Sequence, residues 1–154
     1  VKPVAASPVR VDVEDRQQAH PVDVDHLVKV LAQTLEAQHG ESEAEVGLAF
    51  IDAAEMAELN ITHMGGSGPT DVLAFPIDGV IGTGAVPDGQ PAVLGDVIIC
   101  PEIANQAPQP LVDELALLVV HGALHLMGHD HAEPAETNVM KALEVEMLDR
   151  FHRP

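Results

Sequence analysis

The sequence predicts a single α+β domain, a small mixed β-sheet packed with helices around one central metal-binding helix. Three observations predict it. Strand-like and helix-like stretches alternate as far as Cys100, and helices dominate beyond it. The 154 residues suffice for one domain, residues 1–154 with a loose start over 1–8, that buries a real core. Hydrophobic residues make up 46% with three Phe, no Trp and no Tyr, so that core is built from Val, Leu, Ile, Ala and Met.

Each element has its own signal. Val9, Val11 and Val13 alternate with polar residues, which predicts a strand. Pro21 to His39 reads as a helix, with Leu27, Val28, Leu31 and Leu35 in one apolar stripe. Asp23 and Asp25 lie near its start and Gly40 follows its end. Glu45 to Ile51 is apolar enough for a second strand. Asp52 and Glu55 have the spacing of a capping box, opening a helix that turns Met56 and Leu59 inward, with Met64 a further inward candidate near its end. The run from Gly65 to Pro69 is a turn or loop. Val72 to Phe75 is a short strand ended by Pro76, and Asp78 to Pro91 reads as an exposed, hairpin-like loop. Leu94 to Cys100 is the next strand. Pro101 opens a short helical turn that Pro108 and Pro110 stop. Leu111 to Met127 is the central helix, packed through Leu115, Leu118, Val119 and Leu126. Pro134 suits the first turn of a last helix with the stripe Met140, Leu143, Met147 and Phe151.

The central helix carries the chemistry. His121 and His125 stand four apart, which puts both imidazoles on one face within reach of one ion. Gly128 ends the helix in a left-handed conformation without steric cost, and the chain turns back to deliver His131. The pattern H-x-x-x-H-x-x-G-x-x-H offers three neutral nitrogens and leaves one position for water, the layout of a catalytic zinc site. A metal-bound water has its pKa lowered toward about 7 and supplies a nucleophile without a protein base. Zinc proteases of the H-E-x-x-H kind keep a glutamate after the first histidine, and here that position is Gly122, which argues against peptide hydrolysis by that route.

Charge and cysteine content narrow the classes. The formal net charge is −18, and no Lys or Arg occurs between Lys29 and Lys141. The basic patch usual in nucleic-acid binders is therefore missing around the predicted site. Any RNA contact there leans on the metal, on backbone N–H groups or on a partner. No run of about 18 uncharged apolar residues is present to span a membrane, and residues 1–20 show no apolar signal segment. Cys100 is the single cysteine, which fits a reducing, cytoplasmic setting and a small buried hydrophobe better than a fourth metal ligand. His20, His26, His39 and His152 are scattered and read as solvated.

Two blocks of residues carry a resemblance. One is Leu59-Asn60 followed by Gly68 to Pro76. The other is Glu114 to Leu118 followed by His121 to His131, with Leu94 to Ile99 fitting between them. Through these the chain resembles the YbeY family of bacterial zinc endoribonucleases. The Pro-rich acidic stretch from Asp78 to Gln90 is similar to actinobacterial members. The resemblance implies one zinc ion on His121, His125 and His131. It implies single-strand-specific RNA cleavage in 16S ribosomal RNA 3′-end maturation and ribosome quality control. The implied partners are ribosomal RNA and the small ribosomal subunit, with a small-subunit ribosomal protein and the assembly GTPase Era. Where many members have a phosphate-handling arginine this chain has Met64, an aromatic before it is His63, a tyrosine after the glycine is His129, and a histidine before Glu114 is Asp113. Met64, His63 and His129 are thus the substrate-side candidates; His129 could also be a spare ligand or a proton shuttle, but it reads best as an exposed polar residue, since the spacing already assigns His131. Asp130 either orients a ligand imidazole or caps the turn, and Thr70-Asp71 either lines the cleft or fixes its loop. The competing functions are a non-catalytic, zinc-stabilised ribosome-assembly factor and a metallohydrolase of another substrate.

Overall fold

The computed structural model describes residues 8–39, 43–77, 92–130 and 132–153. The elements run β1 (Val9–Asp15), α1 (Val24–His39), β2 (Ala44–Phe50), α2 (Ala53–Met64), β3 (Val72–Pro76), β4 (Ala92–Ile99), α3 (Pro101–Ala104), α4 (Leu111–Leu126) and α5 (Pro134–Phe151). The sheet order is β1-β2-β4-β3, with β1, β2 and β4 parallel and β3 antiparallel at the edge. This is the mixed sheet that the sequence predicts. The expected loop over Asp78 to Pro91 and the loose start before Pro8 lie outside the described residues.

Most boundaries follow from local chemistry. α1 starts at Val24, not Pro21, because Asp23 caps it: its carboxylate accepts the His26 backbone N–H at 3.2 Å. Asp52 accepts the Glu55 backbone N–H at 2.8 Å, as the capping box requires. The Glu55 carboxylate does not complete the box. It accepts from Arg16 at 2.6 Å and so ties the end of β1 to α2. Pro76 is the last residue of β3, where an edge strand tolerates its missing N–H. Met64, weighed as an inward residue, is 56% exposed because it lies in the final turn of α2, just before the left-handed cap at Gly65.

Alternation in β2 turns Ala44, Val46, Leu48 and Phe50 into the main core. β4 reaches the same face only through a bulge. Glu45 pairs with Val93 and Val46 with Gly95, so Leu94 is the extra residue and both Leu94 and Val97 are buried. Gly95 takes a φ of +134°, and a Cβ there would lie 2.1 Å from the Phe75 carbonyl oxygen. α1 packs on β1 and on α4, α4 packs on β3 and β4, and α5 lies along α4 and α1. The opposite face of the sheet holds a smaller cluster under α2: Ile51, Met56, Leu73 and Cys100. Burial pushes the Cys100 thiol pKa up, in keeping with the inert hydrophobe the sequence predicts. Among the described residues no helix is long and apolar enough to cross a membrane.

Gly95→Ala is expected to cost about 3 kcal/mol or more of folding free energy, since it forces a side chain into a disfavoured backbone region and against a fixed carbonyl. Urea denaturation measures this; a loss near zero would show that the bulge relaxes freely.

Candidate metal centre

α4 is apolar nearly all round because it is sandwiched between the sheet, α1 and α5. His121 and His125 occupy its one half-open stripe, and their rings lie 4.7 Å apart between centroids at 75°. The Nδ1 of His121 meets a carboxylate oxygen of Glu144 on α5 at 2.6 Å. That contact commits Nδ1, so a metal held by this ring is held through Nε2. The adjoining segment turns sharply. Gly128 has a φ of +94°, its N–H reaches the His125 carbonyl at 3.0 Å, and the His129 N–H reaches the Leu124 carbonyl at 3.0 Å. This is the helix stop that the spacing predicts. The third predicted ligand, His131, lies outside the described residues. Among the described residues no three His, Cys, Asp or Glu side chains are grouped so as to hold a metal ion.

Gly122 explains the missing glutamate in physical terms. A Cβ at this position would lie 2.6 Å from one methyl of Val97 and 3.0 Å from the other. α4 rests on β4 here with no room for a side chain. A glutamate in this place would drive into the sheet instead of facing a substrate. The two imidazoles, 4.7 Å apart, have the donor chemistry of a metal site, and the position next to them does not fit a protein base.

The remaining candidates separate. Thr70 and Asp71 are half-buried at the start of β3, with the Thr70 hydroxyl 3.5 Å from the Asp71 carboxylate and the Asp71 carbonyl accepting from the Cys100 N–H at 2.9 Å. Their loop is held by Asn60, whose side-chain amide donates to the Gly68 carbonyl at 2.9 Å. His63 and Met64 are exposed at the end of α2, and the His63 ring meets the edge of Phe75 at 5.5 Å. Asp130 is exposed. His129, read as exposed, is half-buried against Gln38 at 3.2 Å, which joins the loop after α4 to the end of α1.

Three of the four histidines read as solvated, His20, His26 and His152, are at least half-buried. His152 is held between Asp113, 2.8 Å from its Nε2, and His26, 2.8 Å from its Nδ1. Its side chain is 7% exposed. The positions are far apart in sequence and meet only because α1, α4 and α5 converge, so no local pattern announces them. His20 is half-buried in a turn closed by Gln17, and the His39 side chain lies outside what is described. Glu144 was likewise not singled out by the sequence. The available signal was its place beside Leu143 on the inward stripe of α5.

The profile of the family described as Endoribonuclease YbeY matches residues 12–152. The chain belongs to the YbeY endoribonuclease family. A protein of Salinispora tropica named Endoribonuclease YbeY is 45% identical over 136 residues, covering 82% of this chain and 87% of that one. One of Mycolicibacterium smegmatis with the same name is 40% identical over 141 residues, covering 88% and 79%. The solution structure of TM1509 from Thermotoga maritima superimposes with a TM-score of 0.54 over 94% of this chain and 92% of that one, at 23% identity, and shows a shared fold. The resemblance read from the two sequence blocks is thereby shown for nearly the whole chain. Within the YbeY fold, α4 contributes its two histidines next to Gly122, where it rests on Val97 of β4.

Gly122→Glu is expected to cost about 3 kcal/mol or more in chemical denaturation, because it overpacks the contact with Val97 and buries a charge. Adding Val97→Ala is expected to restore part of the loss. Two independent, additive effects would show that the two positions do not share the contact.

Proposed function

We propose that this chain is a zinc-dependent, single-strand-specific endoribonuclease acting in 3′-end maturation of 16S ribosomal RNA and in ribosome quality control. The observation that carries the reading is the His121–His125 pair on one face of α4, with Glu144 on the first ring, in a chain of this family. His121, His125 and His131 would hold the ion. Zinc so bound lowers the pKa of water and polarises a phosphoryl oxygen, so no protein base is required. Gly122 keeps α4 seated on the sheet and leaves the histidine stripe as the face offered to substrate. Asn60 fixes the loop that presents Thr70 and Asp71. The exposed end of α2, with His63 and Met64, is the proposed substrate-side surface.

RNA affinity comes mainly from partners in this reading. Ribosomal RNA reaches the chain within the small subunit, with a small-subunit ribosomal protein and the GTPase Era as cytoplasmic partners. The absence of Lys and Arg from residue 30 to residue 140 supports this division of labour. The same absence favours a second reading, a zinc-stabilised assembly factor without turnover.

The deciding experiment uses the purified chain, stripped of metal and restored with zinc, against single-stranded RNA and a panel of peptides. RNA cleavage that returns with zinc, no peptide cleavage, and a fall of about 100-fold or more in His121→Ala are expected. Zinc binding without RNA turnover would establish the assembly factor instead. Met64→Arg is expected to raise single-turnover cleavage about tenfold, because a guanidinium offsets charge at a transferring phosphoryl group. Its exposed position predicts an unchanged melting temperature. A stable, zinc-loaded variant with no gain in rate would remove Met64 from the substrate side.

A further inference from the structure

Two histidine–carboxylate pairs stitch α5 to α4. Asp113 meets His152 at 2.8 Å near the start of α4. His121 meets Glu144 at 2.6 Å farther along. The pairs stand eight residues apart on each helix, so the helices run antiparallel in one fixed register. The sense is opposite in the two pairs: α4 supplies the carboxylate in the first and the imidazole in the second. The first pair continues into His26 of α1, whose Nε2 lies 2.8 Å from Nδ1 of His152. A slip of α5 by one turn, about 5.4 Å, would break every one of these bonds.

We propose that Glu144 is a positioning residue for the metal centre, selecting the tautomer and ring orientation of His121; the role rests on the metal reading above. The chemistry is direct. A carboxylate oxygen 2.6 Å from Nδ1 favours the tautomer with its proton there, and in that neutral ring the lone pair sits on Nε2. That is the form in which an imidazole binds a metal on its outer side. The Glu144 side chain is only 13% exposed, so the bond is shielded from competing water. The far clasp at His152 does a different job. It fixes the end of α5 but touches neither ring of the metal pair. It therefore supplies an internal control for the bland alternative, that Glu144 merely staples two helices.

The test measures zinc affinity, by competition with a chromophoric chelator, in the parent, Glu144→Ala, Glu144→Gln and His152→Ala, with melting of the metal-free proteins alongside. Glu144→Ala is expected to bind zinc about 10–100-fold more weakly than the parent. Glu144→Gln is expected to lose about 3–10-fold, since its amide oxygen still accepts the Nδ1–H without the charge. His152→Ala is expected to lower the melting temperature while keeping zinc affinity within about threefold. The visible bands of the cobalt-substituted protein should shift in Glu144→Ala and not in His152→Ala. Equal affinity in Glu144→Ala and the parent overturns the role, and so does an equal loss in His152→Ala. Should Glu144→Ala not fold, equal affinities of the parent and Glu144→Gln overturn it. A parent that binds no zinc overturns the metal reading itself, and this role with it.

Discussion

The contact between Gly122 and Val97 governs the layout of this protein. Helices usually stand off a sheet by the thickness of their side chains. Here a glycine removes that spacer and lets the backbone of α4 settle onto β4. The helix cannot rotate about its axis without pushing a side chain into the sheet. Its remaining faces are thereby assigned: Leu115, Leu118, Val119 and Leu126 to the core, His121 and His125 to the half-open stripe. The histidines are held in direction by this packing. The loss of the H-E-x-x-H glutamate is the other side of the same fact, since the position that would carry a base is the position that must carry nothing.

The strand beneath that contact is itself irregular. Without the bulge at Leu94, the pleat would send Leu94 and Val97 to opposite faces of the sheet. With it, both lie in the main core, and Asp96 and Ile98 go to the other side. Gly95 pays for the irregularity with a backbone that few other residues adopt. The two glycines therefore work as a pair. One puts Val97 on the core side of β4, and the other lets α4 come down to meet it.

What the sequence made legible divides by distance along the chain. Features decided within one or two turns were readable: the Asp52 cap, the stop at Gly128, Pro101 and Pro134 opening helices, the valine alternation of β1. Fold class followed from the order of such elements. The start of α1 was placed three residues early because the acidic residues were read as dipole partners, whereas Asp23 is the cap itself. The bulge has no mark in the sequence because the mostly apolar run from Ala92 to Ile99 looks like ordinary β-structure. Within the site, His121 and His125 were found from their spacing, while Glu144 was not, since an antiparallel helix partner has no sequence mark. The same holds for His26 and His152, separated by 126 positions and joined only by the fold. Family resemblance supplied the expected substrate class, yet it could not show which carboxylate faces which ring.

The charge pattern gains meaning only in three dimensions. Seven cations against 25 carboxylates already argued against a basic patch. Folding consumes most of what there is. Arg10 faces Glu45, Arg16 is shared by Glu14 and Glu55, Arg150 lies within 3.8 Å of Glu146, and Arg153 bonds Asp149 at 3.2 Å. These exposed pairs add little to stability. Their consequence is electrostatic: each arginine is already neutralised by an acidic neighbour, and Lys29 and Lys141 stand exposed on α1 and α5. Long-range attraction of a polyanion by this surface is therefore weak, and repulsion by the net negative charge is strong at low salt. A nuclease with such a surface gains selectivity from what it lacks. In the proposed reading it meets RNA productively only where another component has already placed a strand beside the histidine stripe, since the net negative charge repels free RNA.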